Sequence, residues 1–265
     1  VTTNLGSNNV RIGLSAGVNL ASGGTRNTLV GDYAGEDITT GDYNVGYGYQ
    51  ALTQLATGER NTALGYQSLR SLTTTGASYN VAVGFAAGEL ITSSQFNTII
   101  GSLSGDSLST SVGYNTALGY LALSADTLGQ ESVAIGSQAL ATQNFTGAVA
   151  SYNTAVGTSA GRLVTTGIQN TFIGGLAGDA TTDADYNTAV GVGAMGTNQL
   201  GSRSTALGRN ALTTQNPATA VDMYNTAVGF GAGSSITTGT QNTFVGGVAG
   251  DATDDGLNNT AVGYG

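Results

Sequence analysis

The sequence predicts an all-β protein, a parallel β-solenoid of about 15 coils of 17–21 residues in a single repeat domain over 1–265. Three observations predict it. First, a five-residue motif, Asn-Thr-Ala-Val-Gly or a close variant, starts at Asn9, Asn27, Asn44, Asn61, Asn80, Asn97, Asn115, Ser132, Asn153, Asn170, Asn187, Ser204, Asn225, Asn242 and Asn259. That leaves no room for a separate globular domain. Second, the motif's second position is always β-branched, and its fourth is a large aliphatic in 14 of 15 copies, Tyr47 being the exception. Third, the fifth position is Gly in all 15, as at Gly31, Gly65, Gly157, Gly174, Gly229 and Gly246.

The strand comes first in each coil. Side chains alternate across a strand, and β-branched residues suit its pleated surface, so positions two and four are expected to share the inward face. The Gly after them permits a bend that a Cβ would obstruct. Each coil then pairs in parallel with the next, about 4.8 Å away, and the predicted rod is about 65 to 70 Å long. The Asn column (Asn27, Asn61, Asn97, Asn153, Asn170, Asn225 and Asn242 among its members) is expected to be structural. A stacked Asn at a turn bonds backbone groups of its own and neighbouring coils. Aromatics often precede that Asn, as at Tyr43, Tyr79, Phe96, Tyr114, Tyr152, Tyr186 and Tyr224. Stacking along the rod is the expectation for them, with a sugar-binding strip as the alternative.

A second period is superimposed. Every fourth coil is the longest of its group, and residues 153–193 match 225–265 at 28 of 41 positions, a four-coil superrepeat of about 72 residues. The extra length predicts protruding loops near Arg70, around Asn144 and Phe145, and around Asn216, Pro217 and Met223. The second coil of each group is bulky at motif position three: Leu29, Ile99, Phe172 and Phe244, where most coils have Ala. Position three is expected to face away from the single-chain interior. An Ala column with periodic apolar plugs there predicts a homotrimer packed about these four residues, although Arg11 occupies the same position in the first coil.

Composition narrows the chemistry. The chain has 7 basic and 16 acidic residues, a net charge of −9, and no Lys, His or Cys. Such a surface offers phosphate backbones nothing, so nucleic acid is excluded as an expected partner. No apolar run approaches the length that spans a bilayer, so no membrane insertion is expected of this segment. Disulfides and thiolate metal sites are impossible, and the usual bases and activated nucleophiles are missing. No catalytic residue and no required cofactor are therefore expected. The acidic turns bearing Asp179, Asp183 and Asp185, and Asp251, Asp254 and Asp255, offer oxygen ligands for a weak Ca²⁺ site, without the spacing of a known calcium loop.

The stretch Ser132-Val133-Ala134-Ile135-Gly136, with Ala139 beyond it, resembles the head repeat of trimeric autotransporter adhesins. The Asn-Thr-Ala-Val-Gly-x-x-Ala form is similar to repeats of phage and algal-virus tail-fibre proteins. The likeness covers the whole chain, though these coils are longer than the adhesin repeat. It implies a left-handed parallel β-roll that trimerises and binds host surface molecules. The chain starts and stops inside a repeat, so a segment of a longer fibrous protein is expected. The expected role is an extracellular attachment fibre, on a virion tail or a bacterial surface, presenting loops to a host glycan or protein receptor. The alternative is a segment of a self-assembling surface filament.

Overall fold

The computed structural model describes residues 8–109 and 113–265. Among these, every regular element is a strand and none is a helix. Backbone packing divides the chain into two compact units, Val1–Glu131 with Thr146–Ala150, and Ser132–Phe145 with Ser151–Gly265. The first unit stacks the strands Val10–Ile12, Thr28–Val30, Val45–Tyr47, Thr62–Leu64, Val81–Val83, Thr98–Ile100 and Thr116–Leu118. The second stacks Val133–Ile135, Thr154–Val156, Thr171–Ile173, Thr188–Val190, Thr205–Leu207, Thr226–Val228, Thr243–Val245 and Thr260–Val262. Within each unit neighbours pair in parallel with motif positions in register, as in Thr171↔Thr188, Phe172↔Ala189 and Ile173↔Val190. The fold is a parallel β-solenoid of about fifteen turns, as the repeat predicts.

The Asn column is a buried hydrogen-bond ladder. Asn170 is fully buried; its Nδ2 donates to the Ala184 carbonyl at 2.8 Å, and its Oδ1 accepts from the Asn187 backbone N–H at 2.9 Å. The same two bonds recur at Asn27, Asn44, Asn187 and Asn242. Each of these amides closes its own coil and fastens the next, whereas Asn61 and Asn97 turn Nδ2 back to Glu59 and to Ser94 and Gln95. Where Ser replaces Asn, a Gln from the far side of the coil fills the gap. Gln143 Nε2 donates to Ser132 Oγ at 2.8 Å and its Oε1 accepts from Asn153 Nδ2 at 2.9 Å; Gln215 Oε1 accepts from Ser204 Oγ and Asn225 Nδ2.

The Gly column is obligatory for two reasons. Gly174 has φ +129°, a region closed to other residues, and a Cβ there would lie 2.7 Å from the Gly191 carbonyl of the next coil. The coils approach each other backbone to backbone at this column.

The inward face is the reverse of the expected one. Position three points into the coil and is buried almost throughout, while positions two and four face out: Ile12, Leu64 and Leu207 are each about 45 % exposed. Leu29, Ile99, Phe172 and Phe244 lie fully or almost fully buried inside a single chain, so they do not line an axis between chains. Arg11 follows the same rule: it turns inward and donates to the Gly17 carbonyl at 2.7 Å.

Room for the bulky residues comes from motif position nine. It is Leu or Met where position three is small (Leu52, Leu69, Leu123, Leu140, Met195, Leu212), and Gly beside each plug (Gly35, Gly105, Gly178, Gly250). The coil before a plug has Gly there too: Gly17, Gly88, Gly161, Gly233. A Cβ on Gly161 would come within 2.8 Å of the Phe172 ring, and one on Gly35 within 2.7 Å of Leu29. Two columns thus share one volume, as close packing demands. The twelfth position completes the interior, aliphatic at Leu20, Ile38, Leu55, Leu72, Ile91 and Leu108, and polar at Asp126, Gln143, Thr181, Asn198 and Gln215.

Phe172→Ala is expected to destabilise the isolated chain by about 3–5 kcal/mol, measured by urea denaturation of the dilute monomer. An unchanged midpoint would place that ring outside the single-chain core.

Candidate functional site

Three surfaces were predicted to carry function, and they have different fates. The fourth-coil protrusions are short ladders of their own: Thr57–Glu59 pairs with Thr75–Ala77, Gly129–Gln130 with Val149–Ala150, and Gly201–Ser202 with Val221–Asp222. Asn144 and Asn216 are exposed there. Phe145, Pro217 and Met223 are buried and are not contact residues. Their apolar bulk anchors the loops, leaving Thr146, Gly147 and Ala148, and Ala218, Thr219 and Ala220, at the exposed positions. Arg70 is committed to an ion pair, its Nη2 2.8 Å from Glu89 Oε1.

The acidic turns mostly serve the coil stacking. Asp183 Oδ1 accepts from Thr165 Oγ1 at 2.6 Å and Thr166 Oγ1 at 2.8 Å, and these bonds hold its carboxyl below the usual carboxylate range. Asp185 Oδ1 accepts from the Ile168 N–H at 2.8 Å, and Asp254 accepts from Thr237 Oγ1. Burial raises the Asp179 carboxyl, with the nearby Arg162 charge pulling part of the shift back. Asp251 and Asp255 carry no ion pair among the described residues. No group of three or more His, Cys, Asp or Glu placed to hold a metal occurs among the described residues.

The third surface is the aromatic column that precedes the Asn, which borders the outer side of the strand stack. Before the Asn runs a ladder in which Arg26 and Arg60 lie over Tyr43 at 5.1 and 5.2 Å, and Arg60 also over Tyr79 at 5.6 Å. It continues through Tyr79, Phe96 and Tyr114, with ring centroids 5.4 and 5.0 Å apart. A second column, after the Gly, stacks Tyr49, Tyr66 and Phe85 at 5.2 and 5.3 Å with planes within 16° of parallel. The coil spacing imposes these separations. Ring faces within the columns are covered by neighbouring rings, so the platforms a sugar ring would stack on are not free. The sequence flagged the first column; the second went unnoticed, although Tyr49, Tyr66, Phe85 and Tyr120 recur at one motif position.

One half-buried carboxylate stands out. Asp106 follows Arg70 and Glu89 in a column across three successive coils, and its Oδ1 is buried without a hydrogen-bond partner. Burial pushes its carboxyl up to about 6, its own backbone amide opposes the shift, and the Glu89 charge adds to it.

No family model matches this chain, and no curated protein or solved structure matches it either. The likeness to adhesin and tail-fibre repeats is supported as far as the solenoid repeat architecture.

Because the Asp106 carboxyl titrates near 6 in the folded chain and near 4 when unfolded, the fold binds the extra proton between those values. Its contribution is full below about pH 4 and is lost as pH rises through about 6. Asp106→Asn is expected to raise Tm at pH 7.5 and to match the parent at pH 4; thermal melts at the two pH values check it. Equal Tm differences at both would remove Asp106 as the cause.

Proposed function

We propose that the chain is a segment of an extracellular attachment fibre, of the tail-fibre or bacterial adhesin kind, that holds recognition surfaces at a distance from a particle or cell. The observation that carries this is where the polar chemistry goes. The amides, hydroxyls and carboxylates of the coils largely bond within their own coil or to an adjacent one, so they close and stack the coils rather than serve a reaction. Loops on such a rigid scaffold are where recognition ordinarily sits. The exposed loop residues around Asn144 and Asn216, with Tyr152 and Tyr224 at 54 % and 52 % exposure beside them, are the contact surface under this reading. An acidic chain selects against phosphate backbones and anionic membranes, which leaves a glycan or protein receptor.

A second reading is a segment of a self-assembling surface filament. The exposed aromatic and aliphatic side of the first unit favours it, since the largest apolar patch on a protein surface is often an interaction site.

The purified chain, applied to intact cells and to immobilised glycans, is expected to bind in a manner lost when Asn144 and Asn216 are replaced by Arg and Tyr152 and Tyr224 by Ala. Absence of binding to every surface, together with open-ended growth in mass, would replace the attachment fibre with the filament.

A further inference from the structure

We propose that the outer face of the first unit between Tyr43 and Tyr120 is the docking surface for a second copy of this chain. The surface comprises five rows: Tyr43, Val45, Tyr47 and Tyr49; Arg60, Thr62, Leu64 and Tyr66; Tyr79, Val81, Val83 and Phe85; Phe96, Thr98, Ile100 and Ser102; Tyr114, Thr116, Leu118 and Tyr120. Nine of these 20 residues are aromatic and one is charged, so half of the chain's 18 Tyr and Phe side chains sit here. Leu64, Tyr66, Phe85, Leu118 and Tyr120 are 41–54 % exposed.

The composition is that of an interface core, rich in Tyr and Phe and poor in Lys, Glu and Asp. Five rows about 4.8 Å apart extend the face over about 20 Å along the stack. Electrostatics favours a copy of the same chain as the occupant. The molecule carries a net charge of −9, and copies repel through most of their surface. On this face the single charge, Arg60, is neutralised by Glu59 at 2.6 Å, so two such faces meet without like-charge contact. Sugars are poorly served by the stacked rings of Tyr49, Tyr66 and Phe85 and of Tyr79, Phe96 and Tyr114, whose neighbours cover their faces. The corresponding face of the second unit is less suited to dry packing. Thr fills its second motif position in seven of eight rows, against three of the five rows here, and a dry partner leaves more hydroxyls there without hydrogen bonds.

The proposal deepens the second, filament reading, on which it rests only for the expectation that copies assemble. Its test compares variants of the two units, so the two fail separately. Light scattering across a dilution series of the full chain is expected to show a mass of two or more chains that falls to one in Leu64→Arg, while Thr188→Arg, at the second motif position in the other unit, leaves it unchanged. Should Leu64→Arg fail to fold by circular dichroism, Phe85→Arg replaces it, since that ring is 54 % exposed and outside the core. A single-chain mass for the parent at every concentration overturns the proposal. So does an assembly indifferent to both first-unit variants, or one dissolved by Thr188→Arg instead.

Discussion

The buried Asn ladder is the interaction on which the rest of this structure depends. A coil of about 17 residues must turn several times with little interior to reward the turning. At least four positions in most coils accordingly sit at positive φ, such as Gln50, Leu52 and Arg60 with Gly48 in one coil. Such conformations cost about 1–3 kcal/mol each for non-Gly residues and persist only where surroundings over-determine them. The Asn amide supplies that determination. One nitrogen closes its own coil onto a carbonyl 14 residues on, and one oxygen captures the backbone N–H of the next coil. Left unmade, these buried groups would each cost about 1–3 kcal/mol, so the ladder fixes register as well as stability.

Packing follows from that register. Because coils stack without offset, a large side chain in one coil must be answered by a small one in the same coil and in its neighbour. Phe172 meets Gly178 in its own coil and Gly161 in the coil before; Phe244 meets Gly250 and Gly233 in the same way. The same constraint appears when the Asn column is interrupted. Ser132 and Ser204 are too short to reach across the turn, and Gln143 and Gln215 extend from the opposite wall to restore the connection. Conserving volume and hydrogen bonds between columns lets an otherwise monotonous repeat accommodate a four-coil period.

Much of this was legible in the sequence. The period, the parallel stacking, the structural Asn column and the obligatory Gly all follow from residue type and spacing. The sidedness of the strand did not, for a physical reason. Thr, Val and Ile at positions two and four look like core residues, and Ala at position three looks like a residue that could face anything. The deciding signal was the covariation of Leu29, Ile99, Phe172 and Phe244 with Gly at position nine, which only residues sharing one cavity require. The inward turn of Phe145, Pro217 and Met223 was not legible either, because long loops carry no period from which to read a face. Once the strand is turned the right way, the apolar columns move outside. The site best suited to binding a partner is then the aromatic and aliphatic exterior rather than the residues buried beneath it.

Amide hydrogen exchange resolved by residue tests the ladder most directly. The backbone N–H groups of Asn44, Asn61, Asn97, Asn170, Asn187 and Asn242, each bonded to the preceding Asn side chain, are expected to exchange as slowly as those of the strand residues that follow them. Exchange at these positions as fast as at the exposed loop residues Thr146 and Thr219 would show that the amide column does not hold the coils together.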